Sequence, residues 1–416
     1  MRAAFRSILV MAACAWMMLG SAALAQMALP QAARLATELD PNVTSLRQQV
    51  ASRSLDVQAA RDEYYPSVSV SADSNTTDAN GPGLTLTVSQ VLYDWGLIRS
   101  KIRAASQVRV QAVSDLKMAV EDLSLRVSEA FLDVEVFERK IALTREYMDY
   151  AGRLARQAED RARAGLGDNG EVARARLEIA RAQDQLNSLR SDRDMALTQI
   201  SFLTGRAPGG VLPPPNLDFP EQYGTDAAIL SAVRIAPDYI AARARAAEAE
   251  AGVARARASR LPTIKLQAQG RTDLNGGRTR TAVGVSAGVD LNASSIGGRA
   301  IQVAQADFEA AKSSLRAVER QMSNTARTAL QHISALRATE AARGVQLDQA
   351  ERVLENYEQQ FIAGQRELID VLTTGRDLYD AQIDQVDTYD ERKRTEYEAA
   401  RDLGVLGTLI LSSSPT

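Results

Sequence analysis

The same pattern is written twice along this chain, and that duplication constrains the fold more than any other feature. "YYPSVSV" (64–70) has its counterpart in "RLPTIKL" (260–266), which aligns Pro66 with Pro262. "RSKIRAA", from Arg99, matches "RAIQVAQA", from Arg299, and a glycine break at Gly165 matches one at Gly364. The offsets are 196, 200 and 199 residues, so the register holds through each half. Between the halves lies "GRAPGGVLPPPNLDFPEQY" (205–223), rich in proline and glycine and expected to be non-helical. We divide the chain into a first repeat over 26–207, a linker over 208–223 and a second repeat over 224–416. Whatever the first half builds, the second must build again.

Each half gives one order of elements: a modest helix, two short strands, a long helix, a break, a medium helix. The strands are expected at about 67–76 and 83–93, then at about 263–272 and 280–291. Val68, Val70 and Ala72 alternate with serines, and Leu84, Leu86 and Val88 with Thr85, Thr87 and Ser89. Ile264, Leu266 and Ala268 alternate with Lys265, Gln267 and Gln269, and Val283, Val285 and Ala287 with small residues. Such segments fit a transmembrane β-barrel; alternation alone fits an ordinary antiparallel sheet packed on a core equally well. Tyr64, Tyr65, Tyr93 and Trp95 gather where the first strand pair meets its helices, as a membrane-interface girdle would. Four strands cannot close a barrel, and an open edge in lipid leaves backbone groups unpaired. Strands that enter a bilayer therefore require several chains to share one barrel.

The long helices, about 99–163 and 298–363, each span roughly 100 Å at 1.5 Å per residue. In the first, Val113, Leu116, Val120, Leu123, Val127, Ala130, Val134, Phe137 and Ile141 step by three and four, a coiled-coil seam. The breaks "RARAGLGDNGEVARA" (161–175) and "AGQRELIDV" (363–371) then read as hairpin tips at 164–171 and 363–370. Gly165, Gly167, Gly170 and Gly364 permit a tight reversal. Asp168 or Asn169 can cap the returning helix, with Glu171 in its first turn.

Several classes of function drop out. Arg2, Arg6, an apolar run from Ile8 to Leu19 and the small-x-small pair Ala23 and Ala25 predict a signal peptide over 1–25. Cys14, the single cysteine, lies inside it, which leaves no disulfide, cysteine metal site or cysteine-borne lipid in the mature chain. A net charge of −3 gives no basic surplus for nucleic acid. Only 5% of residues are aromatic, which suits long helices packed through Ala and Leu better than one large globular core. His332 is the lone histidine and reads as a plain helix position. No catalytic constellation or phosphate loop is present, so neither an enzyme nor a cofactor is expected.

With its order and spacing, the chain resembles the TolC-type outer-membrane channel family. The resemblance is carried by "LATELDPNVTSLRQQV", "ARDEYYPSVSVSA", "VSQVLYDWG", "RARAGLGDNGEVARARLEIARAQDQLNSLRSDRDMALTQISFLTG" and "NYEQQFIAGQRELIDVLTTGRDLYDAQ" running into "LGVLGTL". It implies a mainly α fold with a small β part, and a homotrimer whose twelve strands form one barrel continued by twelve helices as a periplasmic tunnel. It also implies an exit duct in the outer membrane, served by an inner-membrane transporter and a periplasmic adaptor, for type I secretion or drug efflux. The missing lipid-anchoring cysteine favours secretion.

By the same resemblance the closed tunnel end falls on the tips. Asp370 matches an aspartate ring at the constriction, and Thr373 stands where a second aspartate is usual. Arg366 matches a gating arginine with Glu171 as its acidic partner, and Phe361 replaces a tyrosine of that network. Gly165 and Leu166 match the adaptor-contact motif, with Gly167 in place of a hydroxyl residue; Gly364 and Gln365 form the corresponding tip of the second half. Without the resemblance, Asp370, Arg366 and Glu171 would be ordinary solvated helix charges. The rival classes are a periplasmic adaptor, which also uses long α-hairpins, and an α-helical scaffold protein.

Overall fold

The computed structural model of the chain describes residues 26–73, 82–165, 167–273, 279–289 and 298–412. The expected signal peptide, Leu166, and the expected strand ends at 74–76 and 290–291 lie outside the described residues. Two compact units emerge, one made of Pro41–Ala119 with Ile229–Asn324, the other of Met1–Asp40, Val120–Ala228 and Thr325–Thr416.

The first unit holds a four-stranded antiparallel sheet of β1 (Ser67–Asp73), β2 (Gly83–Tyr93), β3 (Thr263–Asp273) and β4 (Arg280–Gly288), in that spatial order. The two halves meet at its centre, where β2 pairs with β3 from Gly83↔Asp273 to Tyr93↔Ile264. Register decides which face is apolar: Val70 sits opposite Leu86, Ala72 opposite Leu84, Leu266 opposite Val285 and Ala268 opposite Val283. On β2 that apolar face is the exposed one: Leu84 and Leu86 are 44% and 46% accessible while Thr85 on the other face is buried, and the outer strands β1 and β4 are exposed on both faces. A sheet packed on a core would show the reverse. Apolar side chains outward and polar ones inward is the arrangement of a strand wall in lipid.

Helices α1 (Leu29–Leu39) and α2 (Pro41–Asp62) precede the sheet, and α3 (Leu97–Arg163) leaves it. The exit from β2 is built with care. Asp94 accepts hydrogen bonds from Gly96 N at 3.0 Å and Ile98 N at 2.6 Å, which caps α3. Trp95 adopts φ of 56°, rare for a bulky residue. It is held there by an edge-to-face contact with Tyr93 at 4.8 Å and by its Nε1, which donates to Pro262 O at 3.1 Å. Tyr64, Tyr65, Tyr93 and Trp95 are all exposed.

After α3 come α4 (Asn169–Thr204), α5 (Phe219–Tyr223), α6 (Asp226–Ile235), α7 (Pro237–Ala258), α8 (Arg299–Ile362), α9 (Leu368–Asp402) and α10 (Leu406–Ser412). The linker corrects one expectation, since 205–223 is not wholly non-helical: α5 forms with Pro220 in its first turn, where a missing N–H costs nothing. A second proline, Pro237, divides the modest helix expected ahead of the strands of the second half into α6 and α7 by starting a new one.

In the second unit α9 runs antiparallel to α3 through a ladder of cross-links. Arg401 pairs with Asp122 (2.5 Å) and Arg394 with Asp133 (2.6 Å), and just beyond α9, Gly407 N of α10 donates to Glu121 Oε2 (3.0 Å). Tyr389 Oη reaches Glu135 (3.1 Å), Lys140 pairs with Asp387 (2.5 Å), Thr144 Oγ1 meets Tyr379 Oη (2.9 Å), and Tyr150 Oη donates to Val371 O (3.2 Å). As numbers rise along α3 they fall along α9. The seam between Leu123 and Ile141 is mostly buried, with Leu123, Val127, Ala130, Val134 and Ile141 inside, whereas Val113 is exposed. Helix α8 returns along α9 in the same way, with Arg392–Glu340 (2.7 Å) and Arg337–Glu396 (3.5 Å). The linker is fastened to α9 from inside. Tyr397 Oη donates to Pro215 O at 2.8 Å, and the buried Lys393 ammonium donates to Asn216 Oδ1. Burial pushes the Lys393 pKa down, against the opposing pull of Glu396.

Candidate functional site: the hairpin tips

Both reversals follow from local backbone chemistry. At the first, Gly165 takes φ of 71° and its N–H bonds to Ala162 O at 3.1 Å. Asp168, not Asn169, is the N-cap of α4, and accepts hydrogen bonds from Gly170 N and, at 3.0 Å, from Glu171 N. At the second, Gly364 takes φ of 76°, Gly364 N bonds to Phe361 O at 3.0 Å, and Gln365 N reaches back to Gln360 O at 2.9 Å. This is a Schellman-type close, which uses a left-handed glycine to satisfy terminal carbonyls. Gly364 and Gln365 are exposed.

A shared apolar core lies just behind the tips. Tyr147, Tyr150, Leu154 and Ala158 of α3, Val172 and Ala175 of α4, Phe361 of α8, and Leu368, Val371, Leu372 and Tyr379 of α9 pack as one cluster. Tyr147 stacks on Tyr379 at 4.8 Å. Gly375 lies so close to Tyr150 that an added Cβ would fall 2.3 Å from its Cε1. Burial raises the phenol pKa of Tyr147 and Tyr150 well above the ordinary range; Glu178 adds to the first and Glu358 to the second. Sequence reasoning missed this tyrosine group, although Tyr147 and Tyr150 both fall in the C-terminal stretch of α3.

The residues expected to form the gate come together only in part. Arg366 is half-buried and does not pair with Glu171, which corrects that expectation. Its Nη1 contacts Asp370 Oδ2 at 3.2 Å, its Nε donates to Gln360 Oε1 at 2.9 Å, and its guanidinium stacks on the Tyr357 ring at 3.5 Å. The reason is geometric: Asp370 stands in the first turn of α9, four residues beyond Arg366 in the reversal, and a local partner outcompetes a distant one. Glu171 instead folds over Gly167, where a Cβ would stand 3.0 Å from Glu171 Oε2, and that oxygen is enclosed with no hydrogen-bond partner among the described residues. The absence of a side chain at Gly167 is what leaves it room. Thr373 is exposed and its hydroxyl donates to Ile369 O at 2.8 Å, so it adds no charge at the tip. Phe361 is buried at 2% accessibility, with Arg161 Nη1 bonded to its carbonyl at 3.3 Å.

Away from the tips, His332 is half-exposed with its Nε2 3.4 Å from Glu391, an ordinary helix-surface position. No cluster of metal-ligating side chains exists among the described residues. No helix there is long and apolar enough to cross a membrane.

Known proteins share this architecture. CyaE of Bordetella pertussis is 30% identical over 233 residues, 52% of this chain but 48% of that protein, so the match spans about half of its length. The outer membrane efflux protein BepC of Brucella suis is 23% identical over 354 residues, 82% of this chain and 77% of BepC. In fold, the chain superposes on the outer membrane protein VceC of Vibrio cholerae with a TM-score of 0.75 at 17% identity, covering 90% and 96% of the two chains. It superposes on the open state of the MtrE outer membrane channel of Neisseria gonorrhoeae with a TM-score of 0.74 at 18% identity, covering 91% and 89%. The family profile described as outer membrane efflux protein matches twice, over residues 32–206 and 230–404, once in each half. A duplicated helix–strand–strand–helix–helix chain with an outward apolar sheet and paired helical hairpins thus belongs to the outer membrane efflux protein family, the TolC-type channels of the outer membrane.

Proposed function

We propose that the chain is the exit duct of a tripartite export machine, a homotrimer whose twelve strands close one barrel and whose helices continue it into the periplasm as a tunnel. The observation that carries this is the sheet: four strands with an exposed apolar face and two open edges, β1 and β4. Such a sheet is stable in lipid only when copies of it close on one another. Exposed apolar side chains along the helices, among them Leu177, Met195, Phe202, Val345 and Ile362, supply further surface for neighbouring copies. A periplasmic adaptor and an inner-membrane transporter complete the machine. The tips, Gly165, Leu166 and Gly167 with Gly364 and Gln365, face the adaptor. Three Asp370 carboxylates ring the constriction, each partly compensated by its own Arg366. The repeats 26–207 and 224–416 contribute one hairpin each, joined by 208–223. Type I protein secretion is proposed ahead of drug efflux, because Cys14 is the only cysteine and falls in the leader.

The test is single-channel recording of the purified protein in a planar bilayer, with its oligomeric mass measured in the same detergent. Small, cation-selective steps from a trimer are expected. A monomer that carries no current would overturn the reading.

A further inference from the structure

The two hairpins of the chain turn back at neighbouring helix C-termini, and each such end presents carbonyl oxygens without helical partners and a partial negative charge. α3 meets this with Arg161 and Arg163 in its last turn, but α8 carries no basic residue in its own last turn. Arg161 crosses to supply one. Its Nη1 donates to Phe361 O at 3.3 Å, and its guanidinium lies over the Phe361 ring at 4.9 Å. The same carbonyl accepts from Gly364 N, so the bond falls on the residue that starts the reversal. Phe361 is almost wholly buried in the core behind the tips and the contact is part-buried, so salt screens it less than it would an exposed pair.

Of the hydrogen bonds and ion pairs that link the hairpins among the described residues, this one lies nearest the tips. The next, Tyr150 to Val371 O and Arg376 to Glu178 at 3.6 Å, sit farther from the turns. Arg366 contributes none, since Gln360, Asp370 and Tyr357 all belong to its own hairpin. A duct that opens at its tips must part the hairpins there. Parting them breaks the Arg161–Phe361 bond and leaves every contact of Arg366 intact.

We propose that Arg161 is the positioning residue that holds the second hairpin closed against the first, in the place where Arg366 would have been expected. This rests on the exit-duct reading. Loss of a charge-assisted hydrogen bond moves a two-state equilibrium by about ten- to a hundredfold. Arg161→Gln, which keeps the length and removes the charge, is expected to raise the open fraction in bilayer recordings by about that factor. Arg161→Lys keeps a cation within reach and should stay close to wild type. Arg163→Gln, at an exposed arginine paired with Asp160 on its own helix, should also match wild type.

The experiment compares these variants as trimers of verified mass. Equal open fractions for Arg161→Gln and wild type overturn the proposal, and so does an equal increase in Arg163→Gln, which would mean that any lost tip charge suffices. A wild-type trimer that carries no current overturns the duct reading and the latch together. Should Arg161→Gln not assemble, Phe361→Leu keeps the carbonyl and removes the ring. An intermediate rise in open fraction is then expected, and no rise overturns the latch.

Discussion

Substituting alanine for Gly375 should damage this protein, against the usual rule for helices. Gly375 lies in the interior of α9, where alanine normally gains about 1 kcal/mol. Here the new methyl would stand 2.3 Å from Tyr150 Cε1, 2.9 Å from Cζ and 3.0 Å from the hydroxyl oxygen. Ordinary carbon contacts need about 3.5–4.0 Å, so the ring must retreat by more than an ångström. It has nowhere to go cheaply, being 8% accessible and packed among the apolar residues behind the tips. Overpacking of this kind costs about 1–3 kcal/mol. Displacing the ring also loses the hydrogen bond to Val371 O, a further ~1 kcal/mol. Set against the helical gain, Gly375→Ala should destabilise by about 1–3 kcal/mol. The assay is thermal dissociation of the detergent-solubilised protein at one fixed scan rate, since unfolding of such an assembly is kinetically controlled. It should be run as a double-mutant cycle with Tyr150→Ala. Once the ring is gone the methyl has space, and Gly375→Ala should then stabilise by up to ~1 kcal/mol. If the substitution is neutral in the wild-type background, or equally harmful in both, the close packing of α3 against α9 at this point does not exist.

Three further outcomes are expected. Val285→Arg places a charge on the apolar face of β4 and should cost about 2–4 kcal/mol near mid-bilayer, while Gln267→Arg on the opposite face of β3 should be tolerated; heat-stable, membrane-inserted protein is the readout, and equal tolerance would mean the sheet faces the other way. In alkali, Tyr147, Tyr150 and Tyr397 have pKa values raised well above 10 by burial, and Tyr389 is pushed up to about 12 by burial and Glu135. A raised folded-state pKa gives stability that is complete below the unfolded value near 10 and is lost as pH climbs beyond it. Unfolding midpoints should therefore be flat up to about pH 10 and fall from there, less steeply in Tyr150→Phe. Arg366→Ser removes the partner of Asp370, a partly exposed pair worth about 0–1 kcal/mol, so stability should hardly change while reversal potentials in a salt gradient shift towards cations; an unchanged potential would remove Asp370 from the conduction path.

Much of the fold can be read from the chain because its elements announce themselves by period. The strands alternate by two, the first long helix steps by three and four, and glycines stand where the chain reverses. What alternation withholds is which side of a sheet meets solvent, and the contrast on β2 between exposed Leu84 and Leu86 and buried Thr85 is what resolves that. The short helices α1, α5 and α10 went unforeseen because they carry no long periodic run and are held by contacts distant in sequence. α10, for example, is anchored where Gly407 N meets Glu121. At the tips, the reversal and the Asp168 cap are local and legible. The partners of Arg366 and Glu171 are not, because a family pattern gives which residues occur and leaves the local competition for each charge unstated. Arg161 had no signal beyond being one of several arginines in its helix.

The pairing of β2 with β3 also fixes the order in which the protein can be made. Gly83 and Asp273 are register partners 190 residues apart. Closing a loop of that length costs about 2–3 kcal/mol more than closing a short hairpin, and a two-stranded hairpin alone is marginal in water. The strands of the first half thus have no stable sheet to join until the second half has arrived, and the apolar face they expose invites aggregation meanwhile. Biogenesis must therefore carry the strands of the first half unfolded, or sheltered, until the chain has crossed the inner membrane as far as Asp273, about two-thirds of its length. The late partner, β3, commits the nascent chain to the sheet.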